Sequence, residues 1–389
     1  MKTVDDILMK IGVFITRFPT HNIVGGAENV AYNLSLALIK RGIAIKVFTV
    51  DDKRDSFERD GLLEIHRYKA MLKMGKGKFS WKLFKEPIKY DLYLVHAHFS
   101  VPFAEFAGMR VAKKKRIPFL ITYHGDWVAS YGNIVRKITM TLINKFVDKL
   151  LSSANAIVVP SEFYINESKY LPKYREKIHV IENGINLDQF QINYTREECR
   201  KMLSLPENNY VVLYFGALID YKSPDTLLRA AKLVLEHRKD VLFLIAGTGP
   251  MEKELLALAQ KLNIAQFVRF EGFVNEELKP IYFNAADLFV LPSTMPTEVF
   301  PLALLEASAS GLPMIVSDLN TFKCVVVDGY NGIFTKRGDE WSLAEAIIYL
   351  LENEDERKRM GKNAKEKAKD YSWDKIAEKY EKIYKELII

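Results

Sequence analysis

Ser293-Thr-Met-Pro-Thr-Glu298-Val-Phe300-Pro301-Leu302-Ala-Leu-Leu-Glu306-Ala-Ser-Ala-Ser-Gly311-Leu-Pro313 follows a short apolar run, Asp287-Leu-Phe-Val-Leu-Pro292. That run has the length and the β-branched and aromatic content of a buried strand. From Pro301 the residues are strong helix formers, and Gly311 then Pro313 end the run. Proline near a helix start and glycine past its end is the usual asymmetry. The stretch therefore reads strand, loop, helix, with Pro301 near the first helical position.

The first-turn N–H groups of such a helix, at Leu302 and Ala303, form an anion site that the helix dipole strengthens. Glu298 lies in the loop just before it. Glu306 falls four residues after Leu302 on the same face, its Cβ tilted back toward the N-terminus. Carboxylates repel phosphate but accept hydrogen bonds from hydroxyls. Two acids bracketing an anion site match a ligand with phosphate in the middle and polyol at both ends, as in a nucleotide-sugar. The same spacing also suits an amphipathic helix carrying two solvated glutamates.

The 389 residues are enough for two domains with sizeable cores. Hydrophobic content of 49% and charged content of 27% are those of an ordinary globular protein. No apolar run approaches the roughly 18 residues of a membrane span, and the N-terminus lacks a basic-then-apolar export signal. Cys199 and Cys324 are far apart, without metal-ligand or redox spacing. A reducing, cytoplasmic compartment is expected. The net charge of +7 permits a polyanionic partner without requiring one.

Met9 opens a first strand running to Thr16, so the leading octapeptide reads as a start-site extension outside the fold. A loop from His21 to Gly26, a helix from Ala27 to Lys40 capped by Gly42, and a strand from Ile43 to Val50 make a βαβ unit, hence a parallel sheet. Strands at 62–68, 91–98, 118–126, 156–160 and 178–181 continue the alternation. Segment 182–210, with its turn and polar signals, reads as the passage between domains. A second series then begins: strands at 211–215, 241–246, 268–270, 287–292 and 314–317, with loops and helices between. Ligands of open α/β sheets bind at the carboxyl ends of the strands, where these loops lie.

Several loop positions carry chemistry. Gly25-Gly26 lets backbone approach an anion or acceptor closely, or simply makes a tight turn. Gly247-x-Gly249 follows a strand but lacks the third glycine and the acidic ribose reader of a dinucleotide fingerprint. Lys222, after a strand ending at Gly216, offers a point charge to a diphosphate, or is a solvated surface lysine. Gly272-Phe273-Val274 offers backbone groups beside a ring for a nucleobase edge, or is a strand-end bulge. His96 and His98 share one strand face without a third metal ligand, so packing or hydrogen bonding is their expected use. His124, at a strand end beside Gly125-Asp126, is the histidine best placed to touch a substrate.

Eight motifs, in register, resemble retaining glycosyltransferases of the Glu-x7-Glu group, the group 1 or family 4 glycosyltransferases. They are Gly25-Gly-Ala-Glu28-x-Val30, Val95-His-Ala-His98, Thr122-x-His124-Gly, Asn183-Gly-Ile-Asn186, Gly216-x-Leu-x3-Lys222, Gly247-x-Gly-Pro250, Gly272-x-Val274 and Glu298-x-Phe-x5-Glu306. The resemblance runs from about residue 9 to the end. It implies an α/β chain of GT-B architecture, two Rossmann-like doubly wound domains facing a central cleft. Residues 1–186 would be the acceptor side and 187–371 the donor domain, with helix 372–389 crossing back.

By the same resemblance Glu306 binds the donor ribose and Glu298 the sugar hydroxyls. Lys222 and the N–H groups after Phe300 hold the diphosphate, His124 lies against the transferred sugar, and Gly26 lies near the phosphates or acceptor. Gly249, Phe273, Val274, Phe300, Pro301 and Leu302 complete the donor-binding set, with Glu298, His124 and Lys222 catalytic. Two departures stand out. Ala217 replaces the usual arginine, and Pro301 replaces the commoner glycine and removes one N–H donor.

The implied activity is hexosyl transfer from a nucleoside-diphosphate-sugar to a hydroxyl of a glycan, lipid or small molecule. A catalytically weak or silent nucleotide-sugar-binding protein is the alternative, and the two departures favour it. No cofactor is expected and, with no Asp-x-Asp signature in a suitable loop, no essential metal; nor is a nucleic-acid partner. Segment 69–89, with seven lysines beside Met71, Leu72, Phe79, Trp81, Leu83 and Phe84, and the four charges of Lys113 to Arg116 suit an anionic lipid surface. A solvated loop over the acceptor cleft is the other reading of that segment.

Overall fold

The computed structural model describes residues 8–19, 25–74, 77–100, 103–126 and 134–389. Most of the leading octapeptide, positions 21–24 of the first loop and Lys76 of the basic segment lie outside them. Two compact units divide the chain, Met1–Gly184 with Trp373–Ile389, and Ile185–Ser372. The division falls at Gly184 rather than after Asn186, and Ser372 lies with the second unit.

In unit 1 the strands are β1 (Lys10–Phe14), β2 (Ala44–Asp51), β3 (Ser56–Asp60), β4 (Leu63–Lys69), β5 (Leu72–Met74), β6 (Gly77–Phe79), β7 (Leu94–Phe99), β8 (Phe119–Tyr123), β9 (Ala156–Val159) and β10 (Ile178–Val180). Among the described residues eight of them form one sheet, ordered β10-β9-β8-β7-β1-β2-β4-β3. All its pairings are parallel except β3 with β4. Strands covered on both faces must be nearly all apolar, and β8 and β9 are buried at every position. β3, Ser-Phe-Glu-Arg-Asp, was not legible in the sequence. It is an edge strand whose side chains face water, so neither alternation nor an apolar run marks it. β5 and β6 pair as a separate hairpin inside the lysine-rich segment.

The C-terminal helix Trp373–Ile388 belongs to unit 1. It buries Trp373, Ile376, Ala377, Tyr380, Ile383 and Tyr384, and Glu381 pairs with Arg41. Gly184 must be glycine here, because a Cβ would lie 2.4 Å from the Trp373 ring.

Unit 2 holds β11 (Tyr210–Phe215), β12 (Val241–Ala246), β13 (Val268–Gly272), β14 (Leu288–Leu291), β15 (Met314–Ser317) and β16 (Gly332–Thr335). Their order is β13-β12-β11-β14-β15-β16, all parallel. This is a doubly wound sheet whose winding reverses between β11 and β14. Segment 182–210 is not a bare passage. It folds as the helices Leu187–Phe190 and Arg196–Met202. A capping box starts the second helix: the Thr195 hydroxyl accepts from the Glu198 N–H, and the Glu198 carboxylate accepts from the Thr195 N–H.

Arg200, buried on that helix, donates to the Ala285 and Glu207 carbonyls and, at 2.6 Å, to Asp287 Oδ2. The Val211 N–H also donates to Asp287 Oδ2, at 2.7 Å. The start of β11 is thereby tied to the residue before β14, fixing the two neighbouring strands at the ends opposite to those that carry the site.

Candidate active site

Where the winding of unit 2 reverses, the loops after β11 and β14 leave the sheet side by side. The Thr294 N–H donates to the Tyr221 carbonyl at 2.7 Å, joining the two loops. Lys222 ends a 3-10 turn, Asp220–Lys222, and Ser223 takes a left-handed conformation with φ 45° so that a helix can start at Pro224. The result places Lys222 Nζ 2.5 Å from Glu298 Oε1, with the two side chains only 15% and 10% exposed. Burial works against the Lys222 ammonium. The Glu298 carboxylate, with Tyr221 and Glu306, more than offsets it and holds the Lys222 pKa above the usual lysine value. The Tyr214 phenol, pushed up by burial and by Glu298, donates to the Ala217 carbonyl at 2.9 Å. Ala217 thus contributes its backbone to the loop.

Pro301 is the residue before the helix rather than its first turn, with φ −70° and ψ 116°, and the helix runs Leu302–Ala309. Leu302 and Ala303 are then the first two helical residues, whose N–H groups have no acceptor within a helix. Phe300 is buried, its ring edge-on to Tyr371 at 5.9 Å. Glu306 is buried as well, and its Oε1 accepts from Lys279 Nζ at 2.9 Å.

Packing against the Lys222 loop accounts for the glycines after β12. A Cβ on Gly247, at φ 139°, would lie 1.9 Å from the Gly216 carbonyl oxygen, and one on Gly249 would lie 2.2 Å from that of Leu218. The Leu218 N–H donates to the Thr248 carbonyl at 3.0 Å. Phe273 is 67% exposed at the end of β13, whereas Val274 is buried in the unit 2 core.

His124 and Gly26 belong to unit 1. Gly26 begins the helix Gly26–Lys40, preceded by Gly25 at φ 129°. His124 follows β8, and its Nε2 hydrogen-bonds His98 Nδ1 at 3.0 Å with the rings stacked. The His98 ring lies against that of His96, tilted by 31° with centroids 4.4 Å apart; His96 bonds the Tyr384 hydroxyl at 2.8 Å and the Thr122 hydroxyl at 2.7 Å. Burial pushes His124 down to about 4 and His96 to about 3, so both stay neutral near pH 7. Asp126 anchors the strand end, accepting from the Tyr123 and Ser168 hydroxyls and the Lys169 N–H. Among the described residues no group of three His, Cys, Asp or Glu is placed to hold a metal.

Residues 195–367 match the model of glycosyl transferases group 1, and residues 24–189 that of glycosyltransferase family 4. The chain is 31% identical over 318 residues to D-inositol 3-phosphate glycosyltransferase of Streptomyces scabiei (strain 87.22), covering 77% of this chain and 68% of that one. This chain belongs to the group 1 glycosyltransferases. It is also 29% identical over 383 residues to O-antigen chain mannosyltransferase C of Escherichia coli, covering 97% of this chain and 98% of the relative. The fold is that of Anabaena Alr3699/HepE, solved with UDP and glucose: TM-score 0.75 at 20% identity, over 97% of this chain and 100% of that one. The architecture is GT-B.

In this group 1 glycosyltransferase the structure brings Lys222, Glu298 and Glu306 into one charged cluster, and adds two residues that sequence reasoning missed, Lys279 and Glu276. One signal was present. Lys279-Pro280 opens a helix, and a cation in a first turn opposes the helix dipole, so it calls for a carboxylate nearby. His98 was read as a packing or hydrogen-bonding residue, and the structure makes His124 its partner.

Proposed function

We propose that this glycosyltransferase moves a sugar from a nucleoside-diphosphate-sugar to a hydroxyl acceptor with retention of anomeric configuration, without an essential divalent ion. The observation carrying this is the buried Lys222–Glu298 pair beside Glu306, at the strand ends where the sheet reverses. The UDP and glucose named with the Anabaena structure are consistent with such a donor. In the reaction the bond from the anomeric carbon to the β-phosphate oxygen breaks, and the acceptor oxygen bonds that carbon on the same face. The acceptor proton goes to the departing phosphate. Lys222 and the helix start after Pro301 stabilise charge growing on the diphosphate. Glu298 accepts from sugar hydroxyls, and Glu306 accepts from the ribose diol.

A screen of nucleotide-sugars for thermal stabilisation identifies the donor, because a ligand that binds only the native state raises Tm. With that donor, Glu306→Ala should weaken both the donor and the free nucleoside diphosphate. Glu298→Ala should spare the free nucleotide and damage transfer. Each lost charged hydrogen bond corresponds to roughly ten- to hundredfold. Equal weakening of the free nucleotide by both variants would refute this division of roles.

For the acceptor we propose a lipid-surface encounter. Met71, Leu72 and Trp81 are 67%, 54% and 56% exposed around the β5–β6 hairpin. The charge there is smaller than the lysine count implies, since Lys73 and Lys78 pair with Asp52, Lys82 with Asp55 and Lys89 with Glu86. Among the described residues no helix is long and apolar enough to cross a membrane. At low salt the protein should sediment with anionic vesicles more than with neutral ones. Equal partitioning removes the electrostatic part.

A further inference from the structure

Lys279 begins the helix Lys279–Ala285, and its ammonium sits where the helix dipole disfavours it. It is nevertheless held inside the protein, with only 12% of its side chain exposed. Nζ lies 2.8 Å from Glu276 Oε1, 2.9 Å from Glu306 Oε1 and 5.4 Å from the centre of the Phe215 ring. Burial opposes its charge, but Glu306 and Glu276 together hold its pKa above the ordinary lysine value. Glu276 itself is pushed up by burial despite Lys279. The lysine is therefore gripped from two sides, and one grip is on the carboxylate assigned to the ribose.

An unheld carboxylate rotates about its last bond. Lys279 removes that freedom: its ammonium faces Glu306 as the counter-charge, and its hydrogen bond to Oε1 sets the plane in which Oε2 lies. Two vicinal hydroxyls need acceptors at fixed positions, and that is what an oriented carboxylate provides.

We propose that Lys279 is a positioning residue for the donor nucleotide, orienting Glu306 so that the site discriminates ribonucleotides from their 2′-deoxy counterparts. This rests on the reading of Glu306 as the ribose contact. Lys279 need not touch the nucleotide; it acts through Glu306, and Glu276 keeps it from turning away.

The test measures dissociation constants of UDP, ADP and GDP, each against its 2′-deoxy form, for the full chain and its variants. The wild type should favour the ribo form of the nucleotide it binds. Lys279→Met should lower that ratio roughly tenfold, mostly by weakening the ribo form, whereas a merely structural role would weaken both forms alike. Lys279→Arg, which keeps the charge, should restore part of the ratio. Should Lys279→Met fail to fold, Lys279→Leu reads the same quantity, with neither donor nor charge. A wild-type ratio in the neutral variant that folds overturns the inference. Glu306→Gln separates the two layers. If it lowers the ratio while the Lys279 variants do not, only the positioning role fails. If it leaves the ratio unchanged, the ribose reading fails and the inference with it.

Discussion

Lys222→Ala should lower sugar-transfer turnover by on the order of 10²–10³-fold while weakening nucleoside-diphosphate binding far less. The asymmetry follows from when the charge is needed. A preorganised cation matters most as negative charge grows on the leaving diphosphate, and removing one such donor from a dry site is expected to fall in that range. The structure adds a second consequence. Lys222 and Glu298 are paired and largely buried, so the variant leaves a carboxylate without its cation. Breaking a buried pair from one side costs about 3–5 kcal/mol. Urea unfolding should register that loss, and Glu298→Gln added to Lys222→Met should recover much of it, because both charges are then gone. Turnover should not recover in the double variant. Wild-type transfer by Lys222→Ala would place the chemistry elsewhere.

Gly247→Ala should be the most damaging single-methyl change in unit 2. At φ 139° the backbone favours glycine, and the added Cβ would lie 1.9 Å from the Gly216 carbonyl oxygen, a backbone atom that cannot turn aside. Strain and overpacking together come to about 2–5 kcal/mol. Gly272→Ala is the matched control. It also has positive φ, 68°, but its Cβ would meet nothing within 4 Å, so only about 1–2 kcal/mol of strain applies. The clash pushes on the segment leading to Lys222, so transfer should fall more in Gly247→Ala than stability alone explains; a displacement near 1 Å is enough for about 10²-fold. Thermal unfolding and turnover of the two variants side by side decide it, and equal effects would show that the contact with Gly216 is unimportant.

The sequence by itself determined the rhythm of the fold. Parallel strands covered on both faces are short and nearly all apolar, so Val241–Ala246, Met314–Ser317 and Ala156–Val159 announce themselves without reference to neighbours. Helix ends were legible for the same local reason, since Gly42 and Gly311 take positive φ where helices stop. Edge elements were not: Ser56–Asp60 and Gly332–Thr335 have one side or one end facing water, which erases the pattern a reader looks for. The sequence also named Lys222 and Glu298 in loops after strands, and Glu306 on the helix that follows, as residues of interest. Only the tertiary structure decided which groups pair: Lys222 with Glu298 and Lys279 with Glu306 and Glu276 by charge, and His124 with His98 by a hydrogen bond. Such pairings depend on distance through a low-dielectric interior. That distance is set by strand order, and the reversal between β11 and β14 joins segments whose local sequences carry no trace of one another.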